Sequence, residues 1–393
     1  VIGPVLFNQH AVVYLSIMFM LFLIWAYKRT YIGLNLQAAG DKPAALDVAG
    51  IDVRVTRTGA VLVTGFLTGV GGAYLANIGA GLFFPFMTGG AGFIGSHLVE
   101  ELLKRGERVR VLDNFSTGKR ERLEPYLDRI EVVEGDLRSQ HTVRDAVAGI
   151  DFVLHQAALA SVPRSVANPG ATHEACATGT LNMLVAARDA GVRRFVYAGS
   201  SSAYGDTPTL PKVESMPALP RSPYAVAKLA GEHYCEAFSL IYGFETVVLR
   251  YFNIFGPRQD PTSQYSAVIP LFITEALKGG APTIDGDGEQ TRDFTYVENA
   301  IQANLLACTA DAAAVSGEVF NVGCGERISV NRLWEAIREV TGARVEALHG
   351  PEREGDVRDS LASLEKIRRS MDYAVTISLA EGLRRTVAWL GGP

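Results

Sequence analysis

Hydrophobic and polar residues are distributed very differently in the first 87 residues and in the rest of the chain. Residues 11–27 form an uncharged run of 17, and residues 58–87 form a second uncharged stretch that is rich in glycine and alanine. As a helix the first run would be roughly 25 Å long, near the shortest length that spans a bilayer. The pattern predicts an α-helical membrane-type segment over residues 1–87, with helices at about 8–27 and 59–84.

From residue 86 onward, short apolar runs alternate with amphipathic stretches, and this alternation predicts an α/β fold with a doubly wound parallel sheet. The regular part covers mainly residues 86–250, which we interpret as a Rossmann core. Alternation then weakens, so residues 251–393 are expected to form a smaller C-terminal substrate subdomain. The predicted strands are Phe86–Thr88, Arg108–Leu112, Ile130–Val133, Phe152–Leu154 and Phe195–Ala198.

The first of these strands has an unfavourable sequence, because Pro85 directly precedes Phe86 in the run LFFPFM. Proline has no N–H to donate to a sheet and is rare in central strands. We therefore expect either a strand shortened to Phe86–Thr88 or a sheet that is damaged at this point.

Charge separates the same two parts of the chain. Eight of the first 87 residues are charged, against 71 of the other 306, and the longer part carries a net charge of −7 without a stripe of Lys or Arg. This charge disfavours a nucleic-acid partner. The four cysteines (residues 176, 235, 308 and 324) form no CxxC pair, so we expect a reducing compartment, no disulfide framework and no metal site.

A glycine motif comes directly after the first predicted strand. Gly89, Gly92 and Gly95 have the spacing G-x-x-G-x-x-G, and an amphipathic helical pattern and a second strand ending in Asp113 come next. The first glycine allows a tight turn, the second lets backbone N–H groups approach a pyrophosphate, and the third lets helix and strand pack closely. Asp113 is placed to hold the adenosine ribose, which predicts NAD rather than NADP. Asp136, after the third strand, is placed to receive the adenine amine.

A tyrosine and a lysine four residues apart supply candidate acid–base chemistry. Tyr224 and Lys228 lie one helical turn apart and on one face of the predicted helix. A phenol is a poor base at neutral pH, and a neighbouring ammonium favours its phenolate form. Ser200, in a serine-rich strand end upstream, is placed to hydrogen-bond the substrate oxygen. Tyr224 would accept the proton of a sugar hydroxyl, and Lys228 would also hold the nicotinamide ribose.

Residues 88–393 resemble the extended short-chain dehydrogenase/reductase family, and within it the nucleotide-sugar 4-epimerases. The motifs TGGAGFIGSHL, DNFSTG, SSSAYGD, SPYAVAK, LRYFNIFGPRQDP, GDGEQTRDFTYVEN and REGDVRDS carry the resemblance. It implies NAD as cofactor, Ser200, Tyr224 and Lys228 as catalytic residues, and a homodimer. The implied cofactor-binding residues are Gly89, Gly92, Phe93, Ile94, Gly95, Asp113, Asn114, Ser116, Gly118, Asp136, Leu137, Gln156, Ala157, Ala158, Tyr224 and Lys228. The implied substrate-binding residues are Ser161, Arg164, Ser200, Ser201, Asn253, Gln259, Arg292, Arg353 and Asp356.

The two residues directly after Ser200 indicate the type of reaction. Dehydratases and decarboxylases of this family carry acidic residues just after the catalytic Thr or Ser, whereas this chain has Ser201 and Ser202. We therefore expect 4-epimerisation of a UDP-hexose through a 4-keto sugar. UDP-glucose, UDP-N-acetylglucosamine and the uronic acids derived from them stay open as substrates. Uronic acid epimerase, decarboxylase and dehydratase activities are the alternatives.

Residues 1–87 resemble a fragment of a sugar/nucleoside-type ABC permease, on the segments Gly33–Val53 and Gly59–Gly81. All five basic residues of this part lie between positions 28 and 57, which the positive-inside rule places in the cytoplasm. We expect the enzyme part, residues 82–393, in the cytoplasm, with membrane contact only through residues 1–87. The alternative of a different class is a transport component that carries a passenger enzyme. We hypothesise that two unrelated genes were joined where permease and enzyme sequences are briefly alike, at the segment MTGGAGFIG.

Overall fold

The structure, a computed structural model, describes residues 25–41, 43–62, 83–261, 267–352 and 357–392, together with the single positions 18, 22, 23 and 64. The chain folds as two compact units, Val1–Gly81 and Leu82–Pro393.

The described part of the first unit is helical. Helix α1 covers Tyr31–Asp41, α2 covers Pro43–Val48, and residues 53–62 form a further helical stretch. The guanidinium group of Arg57 donates to the Ala39 carbonyl through Nε (3.1 Å) and Nη2 (2.7 Å), which ties this stretch to the end of α1. Among the described residues, no helix combines the length and the apolar content needed to cross a membrane.

The two predicted membrane helices are only partly covered by the described residues. Of the predicted helix 8–27, residues 18, 22, 23 and 25–27 are helical, and of the predicted helix 59–84, residues 59–62 and 64 are helical; the other positions up to residue 82 lie outside the described part. The predicted end at residue 84 is wrong. Phe83 and Phe84 are not helical, because the Phe84 N–H donates to Asp151 Oδ2 (2.8 Å) at the entrance of the sheet.

The second unit is built on a seven-stranded parallel sheet with the order β11-β6-β5-β4-β1-β2-β3. Three two-stranded pairs, β7 with β10, β8 with β13 and β9 with β12, lie outside it. The strands are β1 Pro85–Thr88, β2 Val109–Asp113, β3 Ile130–Glu134, β4 Phe152–His155, β5 Arg194–Ser200, β6 Glu245–Tyr251, β7 Ile254–Phe255, β8 Thr283–Asp285, β9 Thr291–Arg292, β10 Thr295–Tyr296, β11 Glu318–Val322, β12 Ile328–Ser329 and β13 Leu348–Gly350.

Twelve α-helices are described in the second unit, and those between successive strands of the sheet form the crossovers that parallel strands need. They are α3 Phe93–Lys104, α4 Gln140–Ala146, α5 Val162–Ala167, α6 Pro169–His173, α7 Gly179–Asp189, α8 Pro223–Tyr242, α9 Val268–Lys278, α10 Val297–Thr309, α11 Ala312–Val315, α12 Val330–Thr341, α13 Glu365–Met371 and α14 Leu379–Gly391. A single turn of π-helix, Glu174–Thr178, joins α6 to α7 and is called the π-turn below.

Pro85 is accommodated at the start of β1, an interior strand of the sheet. It is the first residue of β1, its register partner is Phe152 of β4, and pairing with β2 begins one residue later at Phe86. Proline is tolerated at the first position of a strand because the missing N–H then costs no ladder hydrogen bond. The sheet is therefore intact at Pro85, and the expectation of a damaged sheet is wrong.

The sheet takes one strand from the region that the sequence assigned to the substrate subdomain. Strand β11 pairs with β6 from Glu318 to Val322, with Phe320 opposite Leu249. Both of these side chains are fully buried. The core of the fold thus extends well beyond residue 250, because the chain returns to the sheet after leaving it.

Helix α8 is fixed to the sheet by a buried ion pair. The Arg250 guanidinium on β6 donates to the Glu232 carboxylate on α8, through Nε to Oε2 (2.9 Å) and through Nη2 to Oε1. Both side chains are about 95 % or more buried, and the guanidinium lies 4.6 Å from the ring centroid of Tyr204. Removal of one partner would leave a buried charge without its counter-ion.

Arg250→Met is therefore expected to lower the free energy of unfolding by about 3–5 kcal/mol, measured by urea denaturation. The double variant Glu232→Leu/Arg250→Met is expected to recover most of this loss, because no unpaired charge is left. Arg332→Met, at an ion pair with Glu335 in which both side chains are more than half exposed, is the matched control and should change the value by less than about 1 kcal/mol. A double variant less stable than Arg250→Met would contradict this account.

Candidate active site

The carboxyl ends of four neighbouring strands, β3, β2, β1 and β4, surround a cavity of about 320 Å³. Ligands of open parallel sheets bind at such an edge. Eleven of the sequence-predicted cofactor residues line this cavity: Gly89, Gly92, Asp113, Asn114, Ser116, Gly118, Asp136, Leu137, Gln156, Ala157 and Ala158. The other lining residues are Leu112, Thr117, Gly135, Arg138, Leu159, Ala171 and Ala175.

The glycine turn after β1 is too close to its neighbours for a side chain. Gly89 has φ +71°, and a Cβ at this position would lie 2.8 Å from the Ala157 Cα. A Cβ at Gly95, in the first turn of α3, would lie 2.1 Å from the Gly89 carbonyl oxygen. Phe93 and Ile94 begin this helix. The glycines therefore bring the turn, helix α3 and the loop after β4 into direct contact.

Asp113 holds this turn from the end of β2. Its Oδ2 accepts the Ala91 N–H (2.9 Å) and its Oδ1 accepts the Phe115 N–H (2.8 Å). Burial raises the pKa of the Asp113 carboxyl, while these backbone hydrogen bonds act in the opposite direction. Each carboxylate oxygen has a second lone pair, so Asp113 can brace the turn and still accept ribose hydroxyls.

At the far side of the cavity, Asp136 is held by two side chains. Arg138 donates to it through Nε and Nη2 (2.9 and 2.8 Å), and Asn114 Nδ2 donates to its Oδ2 (2.9 Å). Hydrogen bonds from Arg138 are the main reason that the pKa of Asp136 lies well below its ordinary value. Arg138, which also contacts Glu174 (3.2 Å), was not predicted from the sequence. Its position two residues after Asp136 was the available signal.

The side chain of Gln156 lines the cavity and is fixed by hydrogen bonds with two other side chains. Its Nε2 donates to Asn304 Oδ1 (2.9 Å), and its Oε1 accepts the Tyr251 hydroxyl (3.1 Å). Asn304 Nδ2 in turn donates to the Tyr251 oxygen (2.7 Å). This closed triangle fixes the orientation of the amide and joins the loop after β4 to β6 and α10.

The three candidate catalytic residues lie at the end of β5 and at the start of α8. Ser200 ends β5, and its hydroxyl lies 2.8 Å from Ser202 Oγ. Burial raises the pKa of Tyr224 above its ordinary value, and the nearby Ser200 hydroxyl opposes this rise. Lys228 is buried one turn along α8, and its burial lowers the pKa of its ammonium.

A small apolar cluster joins the cavity to this catalytic group. Ala158 and Ala175 line the cavity and pack against Cys176 of the π-turn and Ala227 of α8. Ala227 directly precedes Lys228 in the helix. Although Tyr224 and Lys228 are not lining residues of the cavity, the wall of the cavity therefore rests on the helix that carries them.

The predicted substrate-binding residues do not form one described group. Ser161 caps α5 by accepting the Arg164 N–H (3.2 Å). Asn253 has φ +35°, and its Nδ2 donates to the Asp293 carbonyl (3.2 Å), next to Arg292 at the end of β9. Ser201 begins a short 3-10 helix after β5.

One further predicted substrate residue lies at a different place in the second unit. Gln259 faces a separate cavity, together with Arg122, Arg258 and Trp389, and its Nε2 contacts the Ile254 carbonyl (3.4 Å). The structure therefore does not place Gln259 beside the cofactor cavity. Arg353 and Asp356 lie outside the described residues.

Residues 86–323 match the family described as the NAD dependent epimerase/dehydratase family. The chain belongs to this family. Its cofactor is NAD, which agrees with the glycine turn, with Asp113 and with the cavity between them.

Known relatives show which reactions occur on this fold. A UDP-N-acetylglucosamine 4-epimerase from Methanobrevibacter ruminantium, solved with UDP-N-acetylmuramic acid, is 38% identical with a TM-score of 0.73 over 78% of this chain and 98% of that one. A Thermus thermophilus UDP-glucose 4-epimerase, solved with NAD, is 37% identical with a TM-score of 0.73 over 79% and 99%. A UDP-N-acetyl-alpha-D-glucosaminuronate decarboxylase from Bacillus cytotoxicus is 32% identical over 77% and 96%.

The N-terminal part matches a different family. Residues 3–96 match the permease component of the branched-chain amino acid transport system, and this match overlaps the epimerase match at residues 86–96. The resemblance of residues 1–87 to a permease fragment is thereby confirmed. The overlap contains the segment Met87–Gly95, at which the two sequences were expected to be joined.

Gly89→Ala tests the close approach of the glycine turn to Ala157. The added Cβ would collide with Ala157 backbone atoms and also strain a positive φ, so NAD affinity is expected to fall at least about 100-fold by calorimetric titration. Gly149→Ala is the matched control, because Gly149 also has a positive φ (+74°) but no atom within 4 Å of the added Cβ. If the two variants bound NAD equally well, the role of the glycine turn would be refuted.

Proposed function

We propose that this protein catalyses the NAD-dependent 4-epimerisation of a UDP-hexose through a 4-keto sugar. The observation that carries the proposal is the group of half-buried Ser200, half-buried Tyr224 and buried Lys228 beside the cofactor cavity, with a 3-10 helix without a carboxylate after Ser200. The residues after Ser200 are Ser201, Ser202 and Ala203. Elimination and decarboxylation call for additional proton transfer near the sugar, and an acid or base at these positions would provide it.

The residues of the cavity fit NAD. Gly89 and Gly92 line the cavity with backbone alone, and the acids Asp113 and Asp136 lie at the ends of adjacent strands. In this arrangement Asp113 would hold the adenosine ribose, Asp136 would lie near the adenine, and Lys228 would hold the nicotinamide ribose. When bound, NAD supplies the acceptor and the donor of a hydride.

Tyr224 would act as the acid and base on the sugar hydroxyl at C4. Its burial favours the neutral phenol, so a nearby positive charge is required for the phenolate to form. Lys228 provides such a charge one helical turn away. Ser200, at the end of β5, would bind the same sugar oxygen and hold it in line for proton transfer.

Nucleotide recognition is assigned to the second half of the chain. Arg292 lies on β9 next to Asp293, whose carbonyl accepts from Asn253. Guanidinium groups suit a pyrophosphate because they donate two parallel hydrogen bonds. We assign Arg292 and Arg353 to the diphosphate, with Asn253, Gln259 and Asp356 as further contacts, and Ser161, Arg164 and Ser201 to the sugar. The relatives support either UDP-N-acetylglucosamine or UDP-glucose as substrate.

Catalysis is assigned to residues 82–393 alone. The permease match favours a transport origin for residues 1–87, but these residues carry none of the candidate catalytic groups. We therefore regard the transport component with a passenger enzyme as the second candidate function, limited to the N-terminal unit.

We infer a homodimer from the outer surface of α7 and α8. Val185 of α7 and Val226, Tyr234 and Ile241 of α8 are exposed by 37–67 %. A second copy that packs on these helices would bury them. Val226→Glu/Ile241→Glu is expected to give a monomer by light scattering under conditions in which the unchanged chain is a dimer. An unchanged molar mass would remove this interface.

Tyr224→Phe tests the proposed function. The purified chain should interconvert UDP-N-acetylglucosamine and UDP-N-acetylgalactosamine, or UDP-glucose and UDP-galactose, as followed by NMR of the anomeric protons. The variant keeps the ring and loses the proton carrier, so kcat is expected to fall at least about 1,000-fold with NAD affinity nearly unchanged. Tyr234→Phe on the same helix is the matched control and should keep full activity. A chain that binds NAD but converts none of these sugars would contradict the proposal.

A further inference from the structure

Tyr197 contacts the candidate catalytic lysine at two points. It lies on β5, fully buried between β4 and β6. The Lys228 Nζ lies 4.4 Å from the centroid of its ring, and its hydroxyl donates to the Lys228 backbone carbonyl (3.1 Å). A Cβ on Gly231 would lie 2.4 Å from this hydroxyl oxygen, so the glycine is what allows helix α8 to come this close.

The other neighbour of the Tyr197 ring is the imidazole of His155, stacked on it with centroids 5.7 Å apart and an interplanar angle of 23°. His155 Nε2 lies 2.9 Å from Thr180 Oγ1, and its Nδ1 lies 2.6 Å from Thr88 Oγ1. Thr180 already donates its hydrogen to the Cys176 carbonyl (2.6 Å). His155 must therefore donate through Nε2. Its Nδ1 accepts from Thr88 when the ring is neutral.

The imidazole of His155 is neutral at physiological pH, because burial, and then the nearby Lys228 charge, lower its pKa to about 3. The aromatic stack under Lys228 is thus uncharged and is anchored to Thr88, the last residue before the glycine turn.

We propose that Tyr197 is a positioning residue that holds the Lys228 ammonium, one helical turn from Tyr224, by offering its ring face to the cation. Burial destabilises the charged form of Lys228. The face of an aromatic ring attracts a desolvated ammonium electrostatically, and this attraction opposes the effect of burial. This inference rests on the proposed function of Lys228 as the cation that favours the Tyr224 phenolate.

The other titratable groups described around Lys228 are neutral or paired, so they do not replace it as a charge near Tyr224. Burial raises the pKa of the Cys176 thiol on the π-turn and of the Cys235 thiol on α8, so both are neutral at physiological pH. Glu232, one turn further along α8, is paired with Arg250. Burial keeps the pKa of His155 on β4 low, so its imidazole is neutral as well. Loss of the Tyr197 ring would therefore weaken the field at Tyr224 and raise its pKa.

The test is the pH dependence of kcat for three variants of the full chain. Tyr197→Leu removes the ring, and the ascending limb of its profile is expected to move about half to one unit to higher pH. Below the limb this corresponds to a roughly 3- to 10-fold loss of kcat. Tyr197→Phe keeps the ring and should keep the limb of the unchanged chain. Phe195→Leu, a matched loss of a buried ring two residues earlier on β5, should also keep it.

A Tyr197→Leu profile that is lowered at every pH without a shift would overturn the proposal, because a merely structural role predicts that result. A shift as large in Phe195→Leu would overturn it as well. A chain without any epimerase activity would instead refute the proposed function.

A second measurement does not depend on activity. The ε-methylene protons of Lys228, identified by their loss in Lys228→Met, should resonate upfield of the other lysines because they lie over the Tyr197 ring. An unshifted resonance in the unchanged chain would also overturn the proposal.

Discussion

The packing of helix α8 on strands β5 and β6 is the constraint on which the candidate active site depends. Three contacts along the helix maintain it: Lys228 over the ring of Tyr197, Gly231 against the hydroxyl of the same tyrosine, and Glu232 with Arg250. Because the sheet is parallel, β5 ends at the edge where the cavity opens. Ser200 at that end therefore meets Tyr224 in the first turn of the helix.

The cavity at the strand ends and the candidate catalytic residues Ser200, Tyr224 and Lys228 belong to one packed unit. The loop after β4 supplies Ala157, which touches the glycine turn, and Ala158, which packs in the cluster beside α8. Small residues at these positions allow backbone segments to approach closely. A displacement of α8 would therefore also displace the wall of the cavity. The buried contacts that hold α8 on the sheet thus serve the cavity as well as the candidate catalytic residues.

The sequence predicted features whose cause is local. Asp113 and Ser200 lie at the ends of strands, and Tyr224 and Lys228 share one face of a helix. These positions follow from the spacing of the residues within a single strand or helix. Features that depend on distant parts of the chain were not predictable in this way. Strand β11 pairs with β6, about 70 positions earlier in the chain. Gln156 is hydrogen-bonded to Tyr251 and Asn304, which lie up to about 150 positions further along. The place of Gln259 in a separate cavity depends on contacts of the same long-range kind. Pro85 shows the reverse case, because a local rule suggested damage and the register of β1 with β4 removes the problem.

The central claim is that the hydrogen taken from C4 of the sugar is returned to the same carbon within one closed site. A UDP-hexose labelled with deuterium at C4 tests this most directly, with the reaction run in ordinary water and the product analysed by NMR. A closed site predicts that the epimeric product keeps the deuterium at C4. Loss of the label to solvent would contradict the claim.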